Sequence, residues 1–215
     1  MSRSCSCTAG IDSWYSYSRV LPLLPPDRYH TYALDMRGFG DSDAPAHGYT
    51  MDGLAADVVA FLDAAGLDRA TVIGHSFGTF VARRLAETRP NRVARLVLIG
   101  SAVTARNDVM REVRDAVHDL AVPVPDGFIR EFQAGTIHRP VPDVFFEGLI
   151  AESRKLQAPV WRATLDGLPA FDDHDQLQAI EAPTMILWGN ARRAVRPRGA
   201  DAIGRGDPER TAHRV

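Results

Sequence analysis

Residues 70–87 place a Gly-x-Ser-x-Gly pentapeptide, Gly74-His75-Ser76-Phe77-Gly78, between a short apolar run and a helical pattern. The run before it (Ala70, Thr71, Val72, Ile73) suits a buried strand. The residues after it carry Phe80, Val81 and Leu85 at helical spacing and stop before Pro90. A strand that turns straight into a helix holds its middle residue strained, with the side chain proud of the sheet. Glycines two before and two after it let strand and helix backbones approach without a Cβ clash. This is the nucleophile-elbow pattern, and it puts Ser76 in the nucleophile position. A tight glycine turn with an incidental serine is the plainer alternative.

Around the pentapeptide, strand-like runs alternate with helical ones, the pattern of parallel βαβ units. Expected strands are Thr31–Asp35, Thr71–Gly74, Val93–Ile99 and Thr184–Trp188. They are short and apolar without clean alternation, as strands covered on both faces are. A helix is expected over Met51–Ala65, with Leu54, Val58, Phe61, Leu62 and Ala65 as its apolar stripe, Thr50 as its start cap and Gly66 as its end. From Ser101 to about Ile180 the pattern becomes helical throughout. Val109, Val113, Val117 and Leu120 form one stripe; Val141, Phe145 and Leu149 form another. This reads as a small helical subdomain, 101–180.

Two further segments accompany the elbow: Ala33-Leu34-Asp35-Met36-Arg37-Gly38-Phe39-Gly40-Asp41-Ser42 before it, and Ala182-Pro183-Thr184-Met185-Ile186-Leu187-Trp188-Gly189 after it. With these three in this order, residues 12–189 resemble the α/β-hydrolase superfamily, among its serine esterase-like and non-haem haloperoxidase-like members. The resemblance implies a doubly wound, mostly parallel sheet with helices on both faces, made of residues 1–100 and 181–215, with the helical segment 101–180 inserted in it as a cap over the active site. It implies acyl transfer to water through a serine on a small, largely apolar ester or similar acyl compound, with neither cofactor nor metal. A serine in place of an aspartate at the elbow argues against epoxide or haloalkane opening by that superfamily's usual route.

A serine hydroxyl attacks an acyl carbon at neutral pH only with an imidazole base beside it, a carboxylate to orient that imidazole, and N–H donors for the oxyanion. By motif Ser76 fills the nucleophile's role, and the N–H of Phe77, opening the helix, is the natural first donor. Counting back from Asp12-Ser13-Trp14 puts the second donor near Gly10 or Ile11, where the family's His-Gly pair reads Thr8-Ala9. The family's acid position, three after Gly189, holds Arg192. The alternative position after Val93–Ile99 reads Gly100-Ser101-Ala102; Asn190 could hydrogen-bond an imidazole but does not stabilise imidazolium as a carboxylate does, and Asp201 and Asp207 have no spacing that aims them at Ser76. Chain order selects His213 as the candidate base, because in this fold the histidine follows the acid. His75 reads as packing beside the turn, while His30, His47, His118, His138 and His174 fall in loops or in the insertion. Asp35 and Arg37 read as staples of their loop. The aromatics of the insertion (Phe128, Phe132, Phe145, Phe146, Trp161, Phe171) read first as its own core.

The ends depart from the family pattern. Met1–Gly10 lacks the apolar strand expected there, and seven of the last 25 residues are arginine, with neither strand nor helical periodicity. The chain therefore reads as incomplete at both ends. Mutual repulsion and scant apolar surface predict a tail that adds no regular strand. Thr184–Trp188 would then be an edge strand, and His213 would have no scaffold.

At 215 residues, 45% hydrophobic and 24% charged, the chain is long enough for one sizeable core. A net charge of −2 gives no reason to expect nucleic acid or an acidic membrane as partner. No apolar run reaches the ~18 residues of a membrane span, and no secretory h-region is present, so the expected location is the cytoplasm. Cys5 and Cys7 lack a second ligand pair and read as free thiols, with metal or redox chemistry the alternative. Two functional readings stand together: a serine hydrolase impaired by missing acid and base, and a catalytically inactive binding or vestigial module.

Overall fold

The computed structural model describes residues 12–189 in full, and Ser2–Cys7 and Thr211–Arg214 through their strand pairing. Among the described residues there are six strands: β1 (Ser2–Cys7), β2 (Tyr29–Leu34), β3 (Ala70–His75), β4 (Val93–Ile99), β5 (Thr184–Trp188) and β6 (Thr211–Arg214). They form one sheet in the order β2-β1-β3-β4-β5-β6, and every pair in it is parallel. The described residues also form six α-helices: α1 (Met51–Ala64), α2 (Phe77–Thr88), α3 (Asp108–His118), α4 (Asp126–Thr136), α5 (Asp143–Ser153) and α6 (Ala158–Ala170). The strand order reverses between β1 and β3, the switch point at which open α/β sheets bind ligands beyond their carboxyl ends.

The elements form where apolar periodicity demands them. Leu54, Val58 and Leu62 of α1 and Val81 and Leu85 of α2 are fully buried with Leu96, Leu98 and Ile186 of the sheet. The Thr50 hydroxyl accepts from the Gly53 N–H at 3.2 Å and starts α1. Past its end, Gly66 adopts φ +63°, which a residue bearing Cβ enters only with strain. The four strands expected from sequence are present within two residues at each boundary.

Both ends correct the sequence expectation. Ser2–Cys7 forms β1 between β2 and β3, with Cys5 opposite Val72 and Tyr32. Thr211–Arg214 forms β6 beside β5, with His213 opposite Leu187, so β5 is an interior strand. The reason is that a parallel ladder is made by backbone N–H and C=O groups, which serine, cysteine, alanine and arginine carry as fully as valine does. Apolar periodicity reports side-chain burial and is silent on that pairing.

The segment between β4 and β5 folds as the helices α3–α6. Its own core centres on Trp161, fully buried, with Phe128 and Phe132 edge-on to it at 5.3 and 5.0 Å. Of the first expected stripe, Val117 and Leu120 are buried while Val109 is exposed. Helix α6 lies hard against the loop that follows β2: a Cβ on Gly38 would stand 2.6 Å from Val160 Cγ1, and one on Gly167 would stand 2.6 Å from the Tyr49 carbonyl oxygen. Helix α5 rests on the turn at Trp14–Tyr17, where Tyr15 stacks on Phe145 at 5.5 Å.

Candidate active site

Ser76 sits at the junction of β3 and α2 with φ +50° and ψ −119°, the one non-glycine residue with positive φ among the described residues. Its backbone is held on both sides. The Ser76 N–H donates to the Ile99 carbonyl at 2.9 Å, and the Ser76 carbonyl accepts from the N–H and the hydroxyl of Thr79 at 2.9 and 2.6 Å. A Cβ on Gly74 would stand 2.7 Å from Gly78 C and 2.8 Å from Thr79 Cα, closer than real Cβ atoms approach. The missing Cβ of Gly74 is thus what allows β3 to pass so close under α2. A non-glycine residue kept in this backbone region costs on the order of 1–3 kcal/mol and persists only where its surroundings over-determine it. The Ser76 side chain caps nothing, and the residue is exposed.

Phe77 is the first residue of α2, and its side chain is buried. The first N–H groups of a helix have no intrahelical acceptor, and the helix dipole favours negative charge beside them. The expected nucleophile and the first expected oxyanion donor are therefore adjacent in the chain. Gly10, the second expected donor, lies outside the described residues, as do Ile11, Asn190, Arg192, Asp201 and Asp207. His213 lies in β6, described through its backbone pairing alone.

Three other histidines have neighbours away from Ser76. His75 has its ring close to Gly100 at the end of β4, 3.8 Å from where a Cβ there would stand, and burial holds its pKa below the ordinary imidazole value. His30 stacks on Tyr32, and His118 Nε2 lies 2.9 Å from Asp166. Ser101, at the alternative acid position, is fully buried.

Asp35 and Arg37 hold the loop after β2. Asp35 accepts from the N–H of Trp14 and of Asp41 at 2.7 and 3.1 Å; Arg37 donates to Asp57 of α1 at 2.6 Å and to the His47 carbonyl at 3.0 Å. A cleft of about 340 Å³ lies between this loop and α1, lined by Leu34, Asp35, Met36, Asp57 and Phe61 among others and not by Ser76.

Two features had no role assigned from sequence. Asp12 accepts from the Ser13 N–H at 2.9 Å and from the Ser16 hydroxyl; burial, with Glu152 and Asp35 nearby, pushes its carboxyl up to about 6. Arg83 is a fully buried guanidinium paired with Asp173. Its position one turn from Phe80, on a helix whose Phe80, Val81 and Leu85 mark it as core-facing, was the available signal, since an arginine there must find a buried partner.

A family model described as alpha/beta hydrolase fold matches residues 6–211. A non-heme haloperoxidase of Rhodococcus erythropolis is 33% identical over 194 residues, 83% of this chain and 69% of that protein. Epoxide hydrolase 4 of Mus musculus is 39% identical over 88 residues, 40% of this chain and 24% of that protein. The matches span 24–33% of the length of the first three curated relatives. Among solved structures, an esterase from Exiguobacterium antarcticum superposes with a TM-score of 0.88 over 100% of this chain and 83% of that one, at 18% identity, a likeness of fold. Among the described residues, no helix is long and apolar enough to cross a membrane.

Proposed function

Since the chain belongs to the α/β-hydrolase fold family, we propose that it is a serine hydrolase acting on small, largely apolar esters or similar acyl compounds through an acyl-enzyme at Ser76. The observation that carries this reading is the backbone of Ser76: strained, over-determined by its neighbours, and presenting an exposed side chain beside the start of α2. Such strain is kept where a side chain must be presented.

In this reading the Ser76 Oγ attacks the acyl carbon while its proton passes to a base. The Phe77 N–H stabilises the oxyanion, the leaving alkoxide takes up a proton, and water releases the acid in a second, matching step. His213 is the proposed base, being in the right chain order and on a strand that extends the sheet next to β5. Gly10 is the proposed second oxyanion donor. The helical insertion, 101–180, acts as the cap, and its apolar surface selects the acyl group. No cofactor enters these steps. A cytoplasmic setting belongs to the same reading, with Cys5 and Cys7 as free thiols.

Arg192 stands where the family keeps its acid, and Ser101 occupies the alternative position. Without a carboxylate the imidazolium lacks its partner, so turnover falls well below that of a complete triad, toward the ~10³–10⁴-fold over water that oxyanion stabilisation and binding alone supply. The same two positions favour the second reading, an inactive module that binds without cleaving.

The test is hydrolysis of p-nitrophenyl butyrate by the wild type and Ser76→Ala, with a fluorophosphonate probe read by mass spectrometry. Slow hydrolysis lost in Ser76→Ala, with a single adduct on Ser76, is the expected result. A wild type that takes no adduct and hydrolyses no faster than Ser76→Ala defeats it and leaves the binding module.

A further inference from the structure

The helix that begins beside Ser76 carries, two turns along, the fully buried guanidinium of Arg83. Its partners come from two places far apart in sequence. Nη1 donates to the Ala102 carbonyl at 2.6 Å and Nη2 reaches the Val103 carbonyl at 3.4 Å; both carbonyls belong to the crossing that leaves β4 for the insertion. Nη2 also donates to Asp173 Oδ1 at 2.9 Å, and Nε lies 2.7 Å from Asp173 Oδ2, on the crossing that returns from α6 toward β5. Asp173 is 1% exposed. The guanidinium lies over the Phe80 ring at 4.6 Å, and Phe80 meets Phe171 of the returning crossing edge-on at 6.3 Å.

Resting on the proposal that Ser76 is the nucleophile, we propose that Arg83 is a positioning residue: by holding both crossings on α2, it sets where the insertion stands relative to Ser76. A planar fork that serves two carbonyls and a carboxylate together is chemistry that arginine has and lysine lacks. A second link between the crossings, Arg106 to the Pro169 carbonyl and to Asp172, is solvent-exposed and does not touch α2, so it ties the crossings to each other and not to the nucleophile helix.

Glu87, one turn further along α2, completes the cluster. Its side chain is 2% exposed and faces Arg83 and Arg84 of its own helix and Asp173 of the returning crossing; Arg84 is shared with Asp52 of α1. Burial, with repulsion from Asp173, pushes its carboxyl up to about 8 against the pull of the two arginines. At neutral pH the cluster therefore holds Arg83 against one carboxylate. Ionising Glu87 adds a second beside Asp173 and weakens the hold on the returning crossing.

The experiment compares hydrogen exchange by mass spectrometry in the full chain and in Arg83→Lys, Arg83→Met, Asp173→Asn and Glu87→Gln, alongside the rate of fluorophosphonate labelling at Ser76. Opening the clasp should speed exchange at 101–106 and 169–174 roughly tenfold in the Arg83 and Asp173 variants, with β3 and β4 unchanged. Labelling at Ser76 should change by about threefold or more in the same variants, because local opening shifts the insertion. In the wild type, the same two crossings should exchange faster above pH 8 beyond the intrinsic rise, and Glu87→Gln should remove that step. Exchange that rises uniformly over the chain, or a labelling rate unmoved while the crossings open, overturns the proposal. Should Arg83→Met fail to fold, Arg83→Lys and Asp173→Asn carry the same contrast. A wild type that never labels defeats the serine-hydrolase reading and, with it, the positioning of Ser76, whereas exchange confined to the crossings still identifies Arg83 as their clasp.

Discussion

Asp35 and Trp14 are 21 residues apart in sequence, and the Trp14 N–H donates to Asp35 Oδ1 at 2.7 Å. The other carboxylate oxygen accepts from the Asp41 N–H at 3.1 Å, and the Asp35 carbonyl accepts from the Ser42 hydroxyl at 2.7 Å. One side chain thus joins the turn that supports α5 to the loop that supports α6. Gly40, at φ +53°, has its Cα so near this carboxylate that a Cβ would overlap it. Replacing Asp35 by alanine leaves two N–H groups to find water, and should cost about 1–3 kcal/mol in urea unfolding. Asp35→Asn should fall between, since the amide keeps one acceptor oxygen.

The elbow makes a prediction with opposite signs for stability and chemistry. Glycine enters the backbone region of Ser76 without Cβ strain, so Ser76→Gly should exceed Ser76→Ala in stability by about 1 kcal/mol. Both should lose labelling. Gly74→Ala should cost about 1–3 kcal/mol or more, because the new Cβ meets backbone that cannot move aside. Denaturation midpoints of the three variants decide this.

Stability should fall as pH rises through the neutral range. Glu87 holds its proton up to about 8 when folded, against an ordinary value of 4.5, so the folded state binds more protons between those limits and loses stability across them. Asp12, raised from 3.8 to about 6, acts in the same direction over its own window. Urea midpoints measured from pH 5 to pH 8.5 should decline, and Glu87→Gln should flatten the upper part of that decline.

Trp161 is the centre of the insertion's own core, so Trp161→Ala should cost roughly 3–5 kcal/mol. The loss should appear as faster hydrogen exchange in α4 and α6 before β3 and β4 respond.

The parts legible in the sequence share a physical cause. β3, β4, β5, α1 and α2 bury side chains in a repeating pattern, and burial writes itself into the order of residues, as Leu54, Val58 and Leu62 do along α1. The elbow was legible because its chemistry is local: two glycines and a serine within five residues determine the turn. β1 and β6 were not, since their pairing lies in backbone groups that every one of their residues carries.

By itself, then, the sequence determined the alternation of strands and helices, the strand-to-helix turn at Ser76, and the helical character of the segment between β4 and β5. Tertiary structure alone decided where His213 falls, opposite Leu187 on a sixth strand, and that Arg83 meets Asp173 across 90 residues. Local periodicity records which face of an element is buried. Which distant group lies across from that face depends on how the layers close, and no spacing within one element encodes it.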